Sequence, residues 1–425
     1  MGGPDRATAF RFDPEQRFTC GRCTRCCHRF DVVVTPGEAE ALRRPALAAL
    51  WSAEADAAHD GAPVPDQDPL EPVSGQPGAL RLRRRADGAC GFLAADGACR
   101  IHAERGADRK PIACRIFPFR LHPTEAAPLL TASFSCPTVV ANTGSPVGEG
   151  LGELSALGKL WRRAFPEEAK PLRFTADKPL AGATAGEIRV VLRRLLDRVE
   201  DGRRDLRSNV ARMAALLEDW TRYRVLKLED EAFGEYVKVT GRFAAATEKP
   251  ASSERPSPVG RLLLRGFLLA VVAARLQATG PRTGARLGLR SRLVRVALHL
   301  HGLWPPTEGL DRRARGRVRV DLGDPAVHAL VHHFLRSTLE TLPTGRRPLV
   351  DELALAFATL DAALALGASR AAQAGRDTLQ AQDLAAGLAE AADLGQTAGD
   401  GLLARMLQTL TGGLDALRAF AGGKP

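Results

Sequence analysis

All eight cysteines of this 425-residue chain fall at or before residue 136: Cys20, Cys23, Cys26, Cys27, Cys90, Cys99, Cys114 and Cys136. The rest of the chain contains none. An even number of cysteines can mark a disulfide framework, but such frameworks belong mostly to small secreted chains. This chain is long, and Met1 to Thr19 is charged and has no apolar h-region of a secretory signal. Metal ligation is therefore the expected role of the cysteines, ahead of redox pairing or inert core thiols. At roughly 100–200 residues per domain, the length predicts two or three domains, each able to bury its own core.

The spacing supports ligation. Cys20-Gly21-Arg22-Cys23-Thr24-Arg25-Cys26-Cys27 is a C-x2-C-x2-C-C run. A two-residue spacer lets a turn aim two thiolates at one metal, and a third cysteine three residues on can reach the same ion. Adjacent Cys26 and Cys27 are expected to diverge, so further ligands should come from downstream. The downstream candidates are Cys90, Cys99, His102, Cys114 and Cys136. Eight thiols and one imidazole could hold two zinc ions, or a 4Fe–4S cluster and a zinc. Arg22, Arg25, Arg100 and Arg115 lie beside cysteines and are expected to offset thiolate charge and lower the thiol pKa values.

Composition narrows the remaining functions. The net charge is +11, almost all of it in the C-terminal two-thirds, and aromatic residues make up 5%. Scarce aromatics disfavour single-strand nucleic-acid binding on stacking platforms. The Arg81–Arg85 and Arg312–Arg319 runs read as solvated faces rather than phosphate sites. The most apolar stretch, Gly266 to Ala274, is too short for a bilayer that needs about 20 residues. The expectation is a cytoplasmic protein with no membrane span, a monomer or homodimer, recognising a protein partner rather than nucleic acid.

Residues 1–145 read as a loop-rich α+β module. Phe30 to Val34 reads as strand, and Thr35-Pro36-Gly37-Glu38 has the pattern of a helix start with a reciprocal cap, running to about Trp51. Residues 60–78 read as loop, Leu80 to Arg85 as strand, the Asp87-Gly88 and Asp96-Gly97 turns as a hairpin around Cys90, and Leu129 to Phe134 as a last strand. From residue 150 the apolar period is helical, with segments expected over Glu187–Val199, Asp205–Leu228, Gly260–Ala278, Leu287–Leu300, Pro325–Leu342, Leu349–Leu366, Thr378–Leu394 and Gly401–Phe420. The fold class is thus α+β: a small cysteine-ligated module, then a mainly α-helical domain over 150–425, with a dividing loop near 249–258.

Other motifs do not form complete sites. His328 and His332 lie one helical turn apart, but Ala329 stands where a metalloprotease needs Glu, and a histidine-bearing helix face is the simpler reading. Gly152, Gly158 and Lys159 miss the phosphate-loop spacing. No dinucleotide fingerprint or nucleophile elbow is present. Trp161, Trp220 and Trp304 are expected to fill helix interfaces.

The ordered set of the C-x2-C-x2-C-C run, Cys90-Gly91-Phe92-Leu93, Cys99-Arg100-Ile101-His102, Pro111-Ile112-Ala113-Cys114-Arg115-Ile116-Phe117-Pro118-Phe119 and Cys136-Pro137 resembles the YkgJ-type CxxCxxCC cysteine-cluster proteins. The resemblance covers roughly residues 8–140. It implies zinc or iron chelation through these cysteines. Flagellin lysine N-methylases are related to that family, so a metal-dependent enzyme acting on protein lysines is the alternative reading. Wider first-cluster spacing in those methylases, and the helical half outside the resemblance, favour a non-catalytic metal-binding protein with a recognition or assembly domain.

Overall fold

The structure, a computed structural model, describes residues 10–52, 68–73, 76–124, 128–199, 205–247 and 318–397. The expected helices over 260–278, 287–300 and 401–420, the loop at 249–258, the basic residues 312–317 and Trp304 lie outside them. The chain clusters into two units. One comprises Met1–Ala9, Pro14–Leu121 and Thr143–Glu168, the other Phe10–Asp13, His122–Asn142 and Ala169–Pro425. Among the described residues no helix is long and apolar enough to cross a membrane. The architecture is α+β: among the described residues the short strands lie in the first third and long helices dominate the rest.

The cysteine run divides in two. Cys20 to Thr24 is loop, and helix α1 (Arg25–Arg29) carries Cys26 and Cys27. Strand β1 (Val33–Val34) leads to α2 (Pro36–Arg43), which has the expected capping box: Thr35 Oγ1 accepts from the Glu38 amide (3.2 Å) and Glu38 Oε2 accepts from the Thr35 amide (2.9 Å). The helix does not run on to Trp51. Arg44 turns extended before Pro45, and α3 (Pro45–Ala48) is a separate turn. This fits the restriction proline places on the residue before it. Strand β2 (Leu70–Pro72) lies inside the stretch expected to be loop. It pairs antiparallel with β3 (Leu80–Leu82), which also pairs with β1, giving the order β1-β3-β2. Short helices α4 (Arg100–Arg105) and α5 (Ile112–Ile116) follow, then strands β4 (Phe119–His122) and β5 (Leu129–Ala132), α6 (Pro137–Ala141) and α7 (Leu151–Ala164). Gly152, Gly158 and Lys159 thus belong to a regular helix rather than a phosphate loop.

The core of the cysteine-bearing unit gathers Val34, Leu42, Trp51, Leu70, Phe92 and Ile101, with Cys90 and Cys99 packed against it. Each fully buried large apolar side chain contributes about 1.5–3 kcal/mol. Gly91 is required by space: a Cβ there would fall 2.0 Å from Trp51 Nε1. The Cys-Gly-Phe-Leu segment can therefore lie flat on the indole ring, and Ser52 donates to the Gly91 carbonyl (3.0 Å).

The helical unit holds α8 (Gly182–Leu196), α9 (Leu206–Trp220), α10 (Tyr223–Leu226), α11 (Asp230–Ala246), α12 (Pro325–Thr341), α13 (Leu349–Gln373) and α14 (Ala381–Thr397). Asp205 and Asp324 cap α9 and α12 by accepting from the amides two and three residues on. The helix expected over 205–228 ends at Trp220. Thr221 Oγ1 bonds back to the Glu218 carbonyl (2.9 Å), and Arg222 is extended. Glycines set two close helix crossings. A Cβ on Gly387 of α14 would lie 2.4 Å from the Ala363 carbonyl oxygen of α13, and one on Gly241 of α11 would lie 2.6 Å from Val191 of α8. Phe10–Asp13 belongs to this unit: Arg336 of α12 and Asp13 form a buried ion pair (3.0 Å), and Arg11 donates to the Leu342 carbonyl (2.9 Å).

Candidate metal centre

Three segments far apart in sequence bring five cysteines into one neighbourhood. The first is α1, where Cys26 Sγ and Cys27 Sγ lie 4.0 Å apart, so these adjacent side chains do not diverge as expected. The second is a pair of successive tight turns over residues 84–99, closed by bridges Arg84↔Cys90 and Leu93↔Cys99 and turning at Gly88 (φ 86) and Gly97 (φ 81), where a left-handed backbone favours glycine. The Cys90 amide donates to the Cys27 carbonyl (2.8 Å) and docks these turns on α1. The third is α5, which presents Cys114. Its first amide, Ile112 N, donates to Glu38 Oε1 (2.6 Å), so the carboxylate that caps α2 also holds the start of α5.

The thiols register one another electrostatically. Burial pushes the Cys114 thiol well up, and the charges of Cys90, Cys99 and Cys26 push the same way while Lys110 opposes. Cys90 is pushed up to about 11 by burial, reinforced by Cys99 and opposed by the Phe92 amide, Arg84 and Arg85. The hydrogen bond with Cys27 holds the Cys26 thiol high, with burial and the Cys27 charge adding to it. The expectation of lowered thiol pKa values is thus reversed at these positions. Burial and crowding outweigh the nearby cations, and the cations named here adjoin no cysteine in sequence. The five sulfurs are neighbours rather than a finished shell: among the described residues no three Cys, His, Asp or Glu side chains converge to hold an ion. The donor chemistry nevertheless fits a thiophilic cation. A positive centre among these sulfurs would offset the burial that, with their mutual repulsion, keeps them protonated.

The other candidates are placed differently. Cys20 and Cys23 are exposed on the loop before α1. His102 is exposed on α4. Cys136 is buried in the helical unit, at the N-cap of α6. His328 and His332 stack on α12 with ring centroids 6.1 Å apart, and His332 Nε2 pairs with Asp197 Oδ1 at 2.7 Å. That pairing meets the expectation of a histidine-bearing helix face.

Sequence reasoning missed the arginine run. It is not a solvated face. Arg84 is largely buried, and its guanidinium donates to the carbonyls of Phe30, Cys27 (3.3 Å) and Gly88 (2.7 Å) while pairing with Asp31. Arg85 donates to the Leu93 carbonyl (2.7 Å), and Arg83 to those of Asp68 (2.7 Å) and Leu70 (3.0 Å). Loops this short leave backbone carbonyls without ladder partners, and these arginines supply the missing donors. The available signal was their position directly before the Asp-Gly turn and Cys90.

Residues 19–137 match the CxxCxxCC family model, described as "Putative zinc- or iron-chelating domain". The match spans all eight cysteines and less than half of the chain. No curated protein and no solved structure matches the chain significantly.

Proposed function

We propose that this chain is a metal-binding protein that holds iron or zinc through Cys26, Cys27, Cys90, Cys99 and Cys114, and that its helical unit serves recognition or assembly. The observation that carries the reading is the hydrogen bond from Cys90 to the Cys27 carbonyl, which joins the vicinal pair to the turns that bear Cys90 and Cys99, while Cys26, Cys90 and Cys99 all act on Cys114. Zinc and a 4Fe–4S cluster each take about four thiolates, a number these five cysteines supply once their sulfurs close on the ion. When bound, the metal would supply positive charge and, as an iron–sulfur cluster, a redox centre. The chain's own part is to align the sulfurs and satisfy the intervening carbonyls through Arg84 and Arg85. Such thiols stay available in a reducing compartment, which supports a cytoplasmic location.

The test is anaerobic purification of the full chain followed by metal and sulfide analysis and a visible spectrum. Iron with sulfide and a brown colour identify a cluster, whereas zinc in a colourless protein identifies a zinc site, its stoichiometry giving the number of ions. A fully folded protein that takes up neither metal refutes the reading.

A further inference from the structure

Two basic segments far apart in sequence meet within the helical unit. Residues 169–176 carry Lys170 and Arg173, residues 342–350 carry Arg346 and Arg347, and neither stretch contains an acidic residue. Backbone hydrogen bonds align them: the Leu349 amide donates to the Arg173 carbonyl (2.8 Å) and the Val350 amide to the Phe174 carbonyl (3.2 Å). Gly345 (φ 76) comes so close to Lys170 that a Cβ would meet its carbonyl oxygen at 3.3 Å. The turn between α12 and α13 is fixed by buried Glu352. Its carboxylate accepts from the Thr344 amide (2.9 Å), the Thr344 hydroxyl and the Arg347 amide (3.3 Å), and Thr344 Oγ1 accepts from the Arg346 amide (3.3 Å). Three amides of the turn thus point inward, whereas Lys170, Arg173 and Arg346 are exposed. Among the described residues Lys170 and Arg173 make no side-chain hydrogen bond or salt bridge. Burial raises the Asp351 carboxyl, and Arg347 and Arg173 both oppose that shift, so the two segments turn guanidinium groups toward one place.

We infer that this cationic surface docks an acidic segment of a partner protein, rich in aspartate and glutamate. The inference rests on the reading of the helical unit as a recognition unit and adds the chemical class of its partner. A guanidinium fork pairs with a carboxylate through two parallel hydrogen bonds, and a turn fixed in advance loses little freedom on binding. Phosphate sites of the backbone kind use outward amides, and those of Thr344, Arg346 and Arg347 are taken by Glu352 and Thr344. A lipid surface needs apolar side chains to insert, and the exposed large hydrophobic residues of the described chain lie on other segments.

The test measures fluorescence anisotropy of a labelled glutamate- and aspartate-rich peptide with the full-length protein. The matching glutamine and asparagine peptide, phosphatidylserine vesicles and duplex DNA are run beside it. Two variants are compared with wild type: Arg173→Glu/Arg346→Glu, and the milder Arg173→Gln/Arg346→Gln. Both positions are exposed, so the variants should melt as wild type does. The expected result is saturable binding of the acidic peptide, absent for the uncharged one, lost at high salt, and weakened at least about tenfold by the charge reversal, with the glutamine variant between. Equal binding by wild type and both variants overturns this surface while leaving the helical unit a recognition unit. Tighter binding of vesicles or DNA than of the acidic peptide overturns the partner class. A wild type that binds none of the probes overturns the inference and removes recognition by charge from the reading of the helical unit.

Discussion

Arg84 makes more polar contacts in the cysteine module than any cysteine does, and its removal should be correspondingly expensive. Its guanidinium satisfies three carbonyls on two segments and faces Asp31. Hydrogen bonds from a charged donor are worth about 1.5–3 kcal/mol each, and buried acceptors left unpaired lose that and more. Arg84→Met should therefore destabilise the metal-free protein by about 2–4 kcal/mol in a urea titration, with Arg84→Lys intermediate because a single ammonium cannot reach three acceptors in a fork. Asp361, on α13, provides a residue-scale test in the helical unit. Burial raises its carboxyl to about 8, with Arg207 only partly opposing. The folded chain therefore keeps this proton over a range in which the unfolded chain has lost it. Its contribution to stability is greatest below about pH 4, declines as pH rises toward 8, and is flat above that. Asp361→Asn should raise the melting temperature at pH 8.5 and change it little at pH 4. The gain at high pH should be on the order of 1–3 kcal/mol, since relaxation and water reduce the ideal figure.

At the scale of elements, the glycine crossings separate packing from propensity. Gly387→Ala puts a methyl group 2.4 Å from a backbone oxygen that cannot rotate away, and it should destabilise by about 1–3 kcal/mol despite alanine's better helix propensity. Gly37→Ala, on α2 with nothing within 4 Å, is the matching control and should gain about 0.5 kcal/mol. The same elements show what was legible beforehand. The capping box of α2 and the starts of α12 and α13 could be read because caps and prolines act locally. Helix α11 could not: Val239 and Phe243 are exposed beside buried Phe233 and Val237, so no single apolar stripe stands out. Strand β2 was hidden in a Pro- and Gly-rich stretch, because its place depends on β3 rather than on its own residues. The cysteines could be read as candidate ligands from their spacing alone. Which of them become neighbours depends on the Cys27–Cys90 and Glu38–Ile112 hydrogen bonds, which no local pattern encodes.

At the scale of the whole molecule, the metal should govern one unit and not the other. The cysteine-bearing unit has a modest apolar core and many short loops, so binding free energy of the metal becomes part of its folding free energy. The helical unit has long buried helices, above all α13 and α14, and the thiols proposed to hold metal all lie outside it. Chelation should therefore expose residues 14–121 to protease while the helical circular-dichroism signal falls by less than about a quarter, the order expected if local opening follows separate cooperative units. Equal loss of both units would show that they fold together. The central claim, that crowded thiols of the first third hold a metal, is tested most directly by X-ray absorption at the metal edge on the full-length, metal-loaded protein. The account expects a first shell of sulfur at about 2.3 Å, diminished when Cys90 and Cys114 are replaced by serine. A shell of nitrogen or oxygen at about 2.0–2.1 Å, unchanged by those substitutions, would contradict it.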